Sequence, residues 1–307
     1  MGYSVTILLS TYNGEKYIVE QIDSLLRQKD VQLHILIRDD GSKDSTLSIV
    51  QDYSAQDKRI DLITGKNLGP TQSFLELIRQ GLKYKSDFYA FCDQDDVWDE
   101  IKLSEAVKKL SVFDNSTPNC YYSNLKVVDN EMNFVRMAHD TPPKQSNRYS
   151  CLVSDYATGC TMVFNRCAAE IIGEHSPQYY AMHDELLYTV CNFLGNVVYD
   201  TNAYINYRQH QNNVLGMSVV NDPLTRLKKR LKRLIDENKQ PVYNNAISLI
   251  ECFGDLLNEN DKKAINMIVN YKDDFWKWIS LLVCRQIRAD SISDDMRFRF
   301  LIFIKRI

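Results

Sequence analysis

FYAFCDQDDVWDE, residues 88–100, decides how the rest of the chain is read. Phe88–Cys92 is a short apolar run, the pattern of a strand buried on both faces. Asp93, Asp95 and Asp96 follow at once, and three carboxylates in four residues repel one another unless a cation or solvent relieves them. At the carboxyl end of a strand they stand where open α/β sheets bind ligands. Oxygen donors of this kind suit Mg²⁺ or Mn²⁺, ions that bridge protein carboxylates to phosphates. The competing reading is a solvated acidic turn capping the next helix.

Upstream, strand-like and helix-like segments alternate. Val5–Leu9, Leu33–Ile37 and Ile60–Ile63 read as strands, with helical patterns over Glu15–Gln28, Ser45–Tyr53 and Thr71–Leu82 between them. A fourth helix is expected over Lys102–Phe113. Such alternation predicts a mostly parallel sheet covered by helices on both faces. Residues 116–220 are less regular. Short strands are expected near Cys120–Tyr122, Thr161–Phe164 and Val197–Tyr199, and helices near Arg166–Gly173 and Asp184–Phe193. From about Pro223 the pattern is helical. The expected division is 1–222, with a ligand-binding part to about 115 and a catalytic part after it, then a helical extension over 223–307.

The bulk properties fit a globular chain of 307 residues, 44% hydrophobic and 25% charged, with a net charge of −3 that gives no case for nucleic acid binding. The eight cysteines contain no CxxC pair, so buried reduced thiols in a cytoplasmic protein are expected rather than a zinc or redox site. No basic, apolar leader opens the sequence, and no uninterrupted apolar run reaches the roughly 20 residues that cross a bilayer.

The strand ends carry the chemistry. Strand one runs into Ser10-Thr11-Tyr12-Asn13-Gly14, small polar groups plus one ring face; an ordinary Asn-Gly turn is the alternative. Strand two runs into Arg38-Asp39-Asp40-Gly41-Ser42. Its two carboxylates can accept from a base and from ribose hydroxyls, or can build a turn with Gly41 at positive φ and Ser42 or Asp44 as N-cap. Lys66 and Asn67 after strand three offer a cation for phosphate and an amide, or simply a solvated loop. Neither GxGxxG nor GxxxxGK[ST] occurs, which argues against dinucleotide oxidoreductases and phosphate-loop hydrolases.

In chain order, STYNG, RDDGSKD, KNLGP and DQDD resemble the family 2 glycosyltransferases, especially the bacterial rhamnosyltransferase-like branch, over roughly residues 3–216. The resemblance implies a GT-A-type, Rossmann-like α/β fold. It implies a nucleotide-sugar site formed by Ser10, Thr11, Tyr12, Asn13, Asp39, Asp40, Lys66, Asn67, Asp93 and Gln94. Asp93 and Asp95 become the DxD element, with Asp95 the direct ligand of Mn²⁺ or Mg²⁺, and Trp98 and Lys102 fix that loop. Thr158, Gly159, Cys160 and His183 fall on the acceptor side. Asp184, at the start of a helix, takes the place of the general base, with His183-Asp184 standing where Glu-Asp is commoner. A helix N-terminus favours the carboxylate form there. YRQHQNNVLG, 207–216, matches the same branch, so His210 or Arg208 is expected to meet metal or diphosphate. The QxxRW element of processive synthases is missing, which favours addition of one or a few sugars.

The tail has a second character. Leu224–Ile235, LTRLKKRLKRLI, sets Leu224, Leu227, Leu231 and Leu234 in one stripe among six Lys/Arg, and RFRFLIFIKRI closes the sequence. An anionic membrane surface fits this pattern, as does packing on the catalytic domain or a homo-oligomer through these helices. The expected activity is inverting, metal-dependent sugar transfer. Its donor would be dTDP-L-rhamnose and its acceptor a hydroxyl of a cell-surface polysaccharide or lipid-linked glycan, at the inner face of the plasma membrane. The alternatives are a UDP-hexose donor, a nucleotidyltransferase, or a silent GT-A domain that binds membranes or partners.

Overall fold

The computed structural model describes residues 2–142, 147–154, 156–209 and 240–307. By its contacts the chain forms two compact units: Met1–Pro142 with Ala157–Ser176 and Met182–His210, and Pro143–Tyr156 with Pro177–Ala181 and Gln211–Ile307. Two short segments that precede Pro223 in sequence, Pro143–Tyr156 and Pro177–Ala181, thus group with the second unit.

The first unit is built on one sheet. β1 (Ser4–Thr11), β2 (Gln32–Asp39), β3 (Ile60–Thr64) and β4 (Phe88–Cys92) run parallel in the order β3-β2-β1-β4. Val5, Ile7, Leu8 and Leu9 are all fully buried, so both faces of β1 are covered, as parallel sheets require. The covering helices are α1 (Ile18–Leu26), α2 (Thr46–Gln56), α3 (Pro70–Gly81) and α4 (Lys102–Leu110). Ile18, Ile22 and Leu25 recur at helical spacing and face the core. Pro70 sits in the first turn of α3, where its missing N–H costs nothing.

Beyond β4 the sheet turns mixed. β8 (Val163–Asn165) pairs antiparallel with β4 and with β6 (Asn119–Val128), β6 runs parallel to β9 (Asn196–Arg208), and the two-residue β5 (Val97–Trp98) closes on β9. β7 (Phe134–Met137) adds a hairpin partner to β6. The strands expected near Cys120 and Val197 are therefore much longer than their apolar cores. Polar residues such as Asn124 and Asn206 interrupt the sequence pattern while the backbone ladder continues. α5 (Arg166–Glu174) and α6 (His183–Leu194) complete this unit.

Register places the ligand-side loops together. Thr11 lies beside Asp39, Asp39 beside Thr64, and Leu9 beside Cys92, so the segments after β1 to β4 emerge at one sheet edge. β8 enters from the same edge, because Phe91 N–H donates to the Met162 carbonyl at 3.3 Å. The short 3₁₀ turn Gly159–Thr161 is thereby set next to the end of β4.

Among its described residues the second unit holds four α-helices, α7 (Pro241–Phe253), α8 (Glu259–Val269), α9 (Phe275–Val283) and α10 (Ile292–Phe303). Asn258, Asp274 and Ser291 cap the last three through their side chains. Buried Asp261 ties α8 to the segment around Tyr149, whose hydroxyl donates to it at 3.0 Å. No described helix is long and apolar enough to cross a membrane.

Candidate active site

The loops after β1 and β2 hold each other rigidly. Gln94, from the acidic loop, accepts from Thr11 Oγ1 at 2.7 Å and from the Tyr12 N–H at 2.9 Å, and donates back to the Tyr12 carbonyl at 3.2 Å. Asn13 adopts φ 50° and accepts from the Lys43 N–H, while its own N–H donates to Ser42 Oγ. Tyr12 is left 40% exposed, presenting a ring face at the edge. Ser10 Oγ pairs with Ser73 Oγ on α3 at 2.7 Å.

Asp39 and Asp40 are turn builders whatever else they do. Asp39 accepts from the Gly41 and Ser42 N–H groups and, through Oδ2, from Ser42 Oγ at 2.5 Å, with Gly41 at φ 83° as the Asp-Gly turn requires. Asp39 is buried by these contacts. Asp40 is gripped by the Arg38 guanidinium and accepts from the N–H groups of Leu68 and Gly69, which organises the loop after β3. That loop leaves Lys66 and Asn67 exposed at the same edge.

The acidic loop divides in two. Asp93 remains partly exposed, whereas Asp96 is completely enclosed. Burial, then the charges of Asp95 and Asp184, raise Asp93 to about 7. Asp96 is pushed well above the carboxylate range by burial and by Asp95 and Asp93. Its Oδ1 accepts the Arg208 N–H at 3.2 Å, and the Cys160 thiol faces the same carboxyl. Beneath lies Lys102, also fully buried, its Nζ 3.2 Å from the Trp98 ring centroid. Burial lowers Lys102 to about 7, against the pull of Cys92, Cys160 and Asp96. Trp98 and Lys102 thus form the floor of this loop.

Oxygens of Asp93 and Asp96 and the Cys160 sulfur lie within 4.8 Å of one another. This trio suits Mg²⁺ or Mn²⁺ poorly: a thiol whose proton is held by burial is a soft, neutral group, and Asp96 faces the interior. Asp95 and Asp184 lie close enough to raise Asp93, and their hard oxygens are the type a divalent ion prefers, but among the described residues these three form no cluster as tight as that trio. Crowded carboxylates of this kind are what a bound cation stabilises. An acid raised to about 7 keeps its proton above the ordinary range near 4, so the folded chain binds more protons than the unfolded one between about pH 4 and 7. Metal-free stability accordingly falls as pH rises through that window. Because an ion needs the carboxylate form, the thermal stabilisation conferred by Mn²⁺ should grow from about pH 5.5 to about 7.5. A melting-temperature gain flat across that range would remove Asp93 from the metal set.

At the head of α6, Asp184 Oδ2 accepts the Gly159 N–H at 2.9 Å, and Oδ1 accepts its neighbour Glu185 N–H. His183 is stacked on Phe74 at 3.8 Å and edge-on to Phe91 at 4.7 Å. Neither ring nitrogen has a hydrogen-bond partner among the described residues. Burial depresses it to about 4, only partly opposed by Asp184, so the ring is neutral near pH 7. A Cβ on residue 159 would come within 2.9 Å of His183 Nε2 and 3.2 Å of Asp184 Oδ2. Gly159→Ala should therefore shift Asp184 and lower kcat more than tenfold while donor KM changes little. Steady-state kinetics with varied donor checks this, and an unchanged kcat would show the contact to be irrelevant to turnover. Thr158 orders the same turn, its carbonyl accepting from Thr161 N–H and Oγ1.

The structure thus brings Asp93, Asp95, Cys160, His183 and Asp184 together beside the strand-end loops. Arg208 is differently engaged: its guanidinium donates to the carbonyls of Asp95 and Asn130 and to Glu20, so it secures the acidic loop. His210 and Leu224–Ile235 lie outside the described residues. Two site residues were missed. Tyr207 packs against the core cluster that includes Cys160, and burial, Cys160 and the three acidic-loop carboxylates raise it, so it lies beside the residues named above. Its period-two spacing from buried Ile205 was the available signal. Phe74, the platform under His183, lay in plain helical spacing with Leu77, Ile78 and Gly81 and carried no polar mark.

This fold and site define a glycosyltransferase. The model of the family "Glycosyl transferase family 2" matches residues 6–171, and the chain belongs to that family. It is 30% identical to the dTDP-rhamnosyl transferase RfbG of Shigella flexneri, over 69% of this chain and 74% of that one, in keeping with the rhamnosyltransferase-like branch. It is 31% identical to the UDP-Glc:alpha-D-GlcNAc-diphosphoundecaprenol beta-1,3-glucosyltransferase WfgD of Escherichia coli, over 53% of this chain and 61% of the relative. Staphylococcus aureus TarS in complex with UDP-GlcNAc shares the fold at TM-score 0.57 and 17% identity, covering 92% of this chain and 77% of that one. The Pyrobaculum calidifontis mannosyltransferase PcManGT, in complex with GDP-Man and Mn²⁺, shares it at 0.53 and 13%, covering 99% and 81%.

Proposed function

We propose that this glycosyltransferase moves L-rhamnose from dTDP-L-rhamnose to a hydroxyl of a polysaccharide or lipid-linked glycan, with inversion at the anomeric carbon. The observation that carries sugar transfer is the carboxylate of Asp184, fixed by Gly159 N–H and close enough to Asp93 to raise it. A base and a diphosphate-side acid on one edge can serve the two ends of a displacement. Likeness to a dTDP-rhamnosyl transferase supports the donor.

In this reading Tyr12, Asn13, Lys66 and Asn67 line the donor's nucleotide and phosphates, together with Ser10, Thr11, Gln94 and Asp39. Asp95 and Asp93 would hold Mn²⁺ or Mg²⁺, which supplies charge neutralisation for a leaving diphosphate. Asp184 takes the proton of the acceptor hydroxyl as the new bond forms. Neutral His183 and the Gly159 turn keep that carboxylate in place and shape the acceptor side with Thr158 and Cys160. The acceptor's lipid carrier would bring the enzyme to the cytoplasmic face of a membrane.

A UDP-hexose donor is the second reading, favoured by the likeness to a UDP-Glc glucosyltransferase. Nucleoside diphosphate release from dTDP-L-rhamnose, UDP-Glc, UDP-GlcNAc and GDP-Man, with and without Mn²⁺, separates the two. Turnover with dTDP-L-rhamnose alone supports the proposal, and turnover with a UDP-hexose alone replaces it with the second. Pyrophosphate release from a nucleoside triphosphate would sink both.

A further inference from the structure

The second unit carries an aromatic ridge that catalysis does not use. Trp276 is 77% exposed, Phe303 60% and Phe275 59%. The rings follow one another: Trp276 to Phe275 at 5.5 Å, Phe275 to Trp278 at 5.7 Å, Trp278 to Phe303 at 6.0 Å. Their mounting is firm. Trp278 Nε1 donates to the Ile302 carbonyl at 2.8 Å, and Phe298 and Ile302 are buried on the inner side of α10. A run of large exposed apolar rings held this way marks an interaction surface.

The charges around the ridge choose the partner. Residues 297–307 contain Arg297, Arg299, Lys305 and Arg306 and no acidic residue. Lys305 Nζ stands 5.9 Å from the Trp278 ring. The acids on these helices are engaged: Asp273 pairs with Lys277, Asp274 caps α9, Asp294 accepts from Ser291 Oγ at 2.6 Å, and Asp295 pairs with Arg299 at 3.3 Å, so Arg299 is spent within the fold and Arg297, Lys305 and Arg306 carry the basic character. In a twofold contact between copies, this patch would set cations against cations. An anionic bilayer complements it instead, since indole and phenyl rings settle at the headgroup level and Lys and Arg meet lipid phosphates.

We infer that the α9–α10 ridge, Phe275, Trp276, Trp278 and Phe303 with Lys305 and Arg297, docks this protein on an anionic lipid surface. The inference is independent of which sugar is transferred. It names, within the closing basic-apolar segment and α9, a defined surface whose inner residues, Phe298 and Ile302, do not take part.

The test is co-sedimentation of the full chain with phosphatidylglycerol-containing vesicles and with phosphatidylcholine vesicles, beside sedimentation velocity without lipid. The wild type should bind the anionic vesicles at least about tenfold more tightly than the neutral ones. Trp276→Ser/Phe303→Ser should lose at least about tenfold of that binding. Val112→Ser, at an apolar position 78% exposed in the first unit, should bind as the wild type. Circular dichroism and donor hydrolysis should match the wild type in both variants. The inference is overturned if the double variant keeps full binding or if the wild type binds both lipids equally. It is also overturned if the substitutions only dissolve a dimer and leave vesicle binding untouched.

Discussion

Asp184→Asn is expected to retain donor binding while turnover falls about 10²–10⁴-fold, the range a positioned general base contributes. The substitution is nearly isosteric. Its amide oxygen can still accept the Gly159 N–H, so the turn that sets the acceptor side should stay in place, while the Glu185 N–H loses its Oδ1 acceptor. What disappears is the basic lone pair for the hydroxyl proton. Placement at the first turn of α6 makes a carboxylate a weaker base, which geometry must offset. The reading is made with separated measurements: donor affinity by titration, turnover by diphosphate release. Equal turnover in wild type and variant would remove Asp184 from the base role. A parallel loss of donor affinity would mean that it serves the phosphates instead.

How much of this was visible in the sequence depends on which force wrote it. Strands β1 to β4 and helices α1 to α4 were legible because each buries a periodic apolar face, and their loops were legible because turn chemistry is local. β9 was read as three residues around Val197–Tyr199 but extends from Asn196 to Arg208, because ladder hydrogen bonds need no apolar side chain. β7 was missed for the same reason, its Phe134, Val135 and Arg136 being exposed. The site was legible as an ordered set of strand-end polar segments. Its internal division was not: whether Asp93 or Asp96 faces the opening depends on β9 and Arg208, more than a hundred residues away. Lys102 is the instructive case. Helical spacing with Leu103, Ala106, Val107 and Leu110 puts it on the buried side of α4, yet composition alone reads a lysine as solvated.

That buried lysine bears on where a metal can sit. Asp95→Ala is expected to abolish the dependence of donor affinity on Mn²⁺. Its loss should exceed the roughly 10–100-fold that outer partners of a metal contribute. Asp96→Asn should leave the Mn²⁺ response in place. The difference follows from what surrounds each carboxyl. Asp96 is enclosed, accepts the Arg208 N–H, faces the Cys160 thiol and has Lys102 as its nearby cation. Asp96 keeps its proton on that side, so a hard ion gains little there and would have to displace that proton beside a thiol. On the opening side the crowding falls on Asp93, raised by Asp95 and Asp184, with no buried cation among its influences. Donor titrations with and without Mn²⁺, for both variants, decide the matter. A metal response lost in Asp96→Asn and kept in Asp95→Ala would move the ion inward, to the trio of Asp93, Asp96 and Cys160.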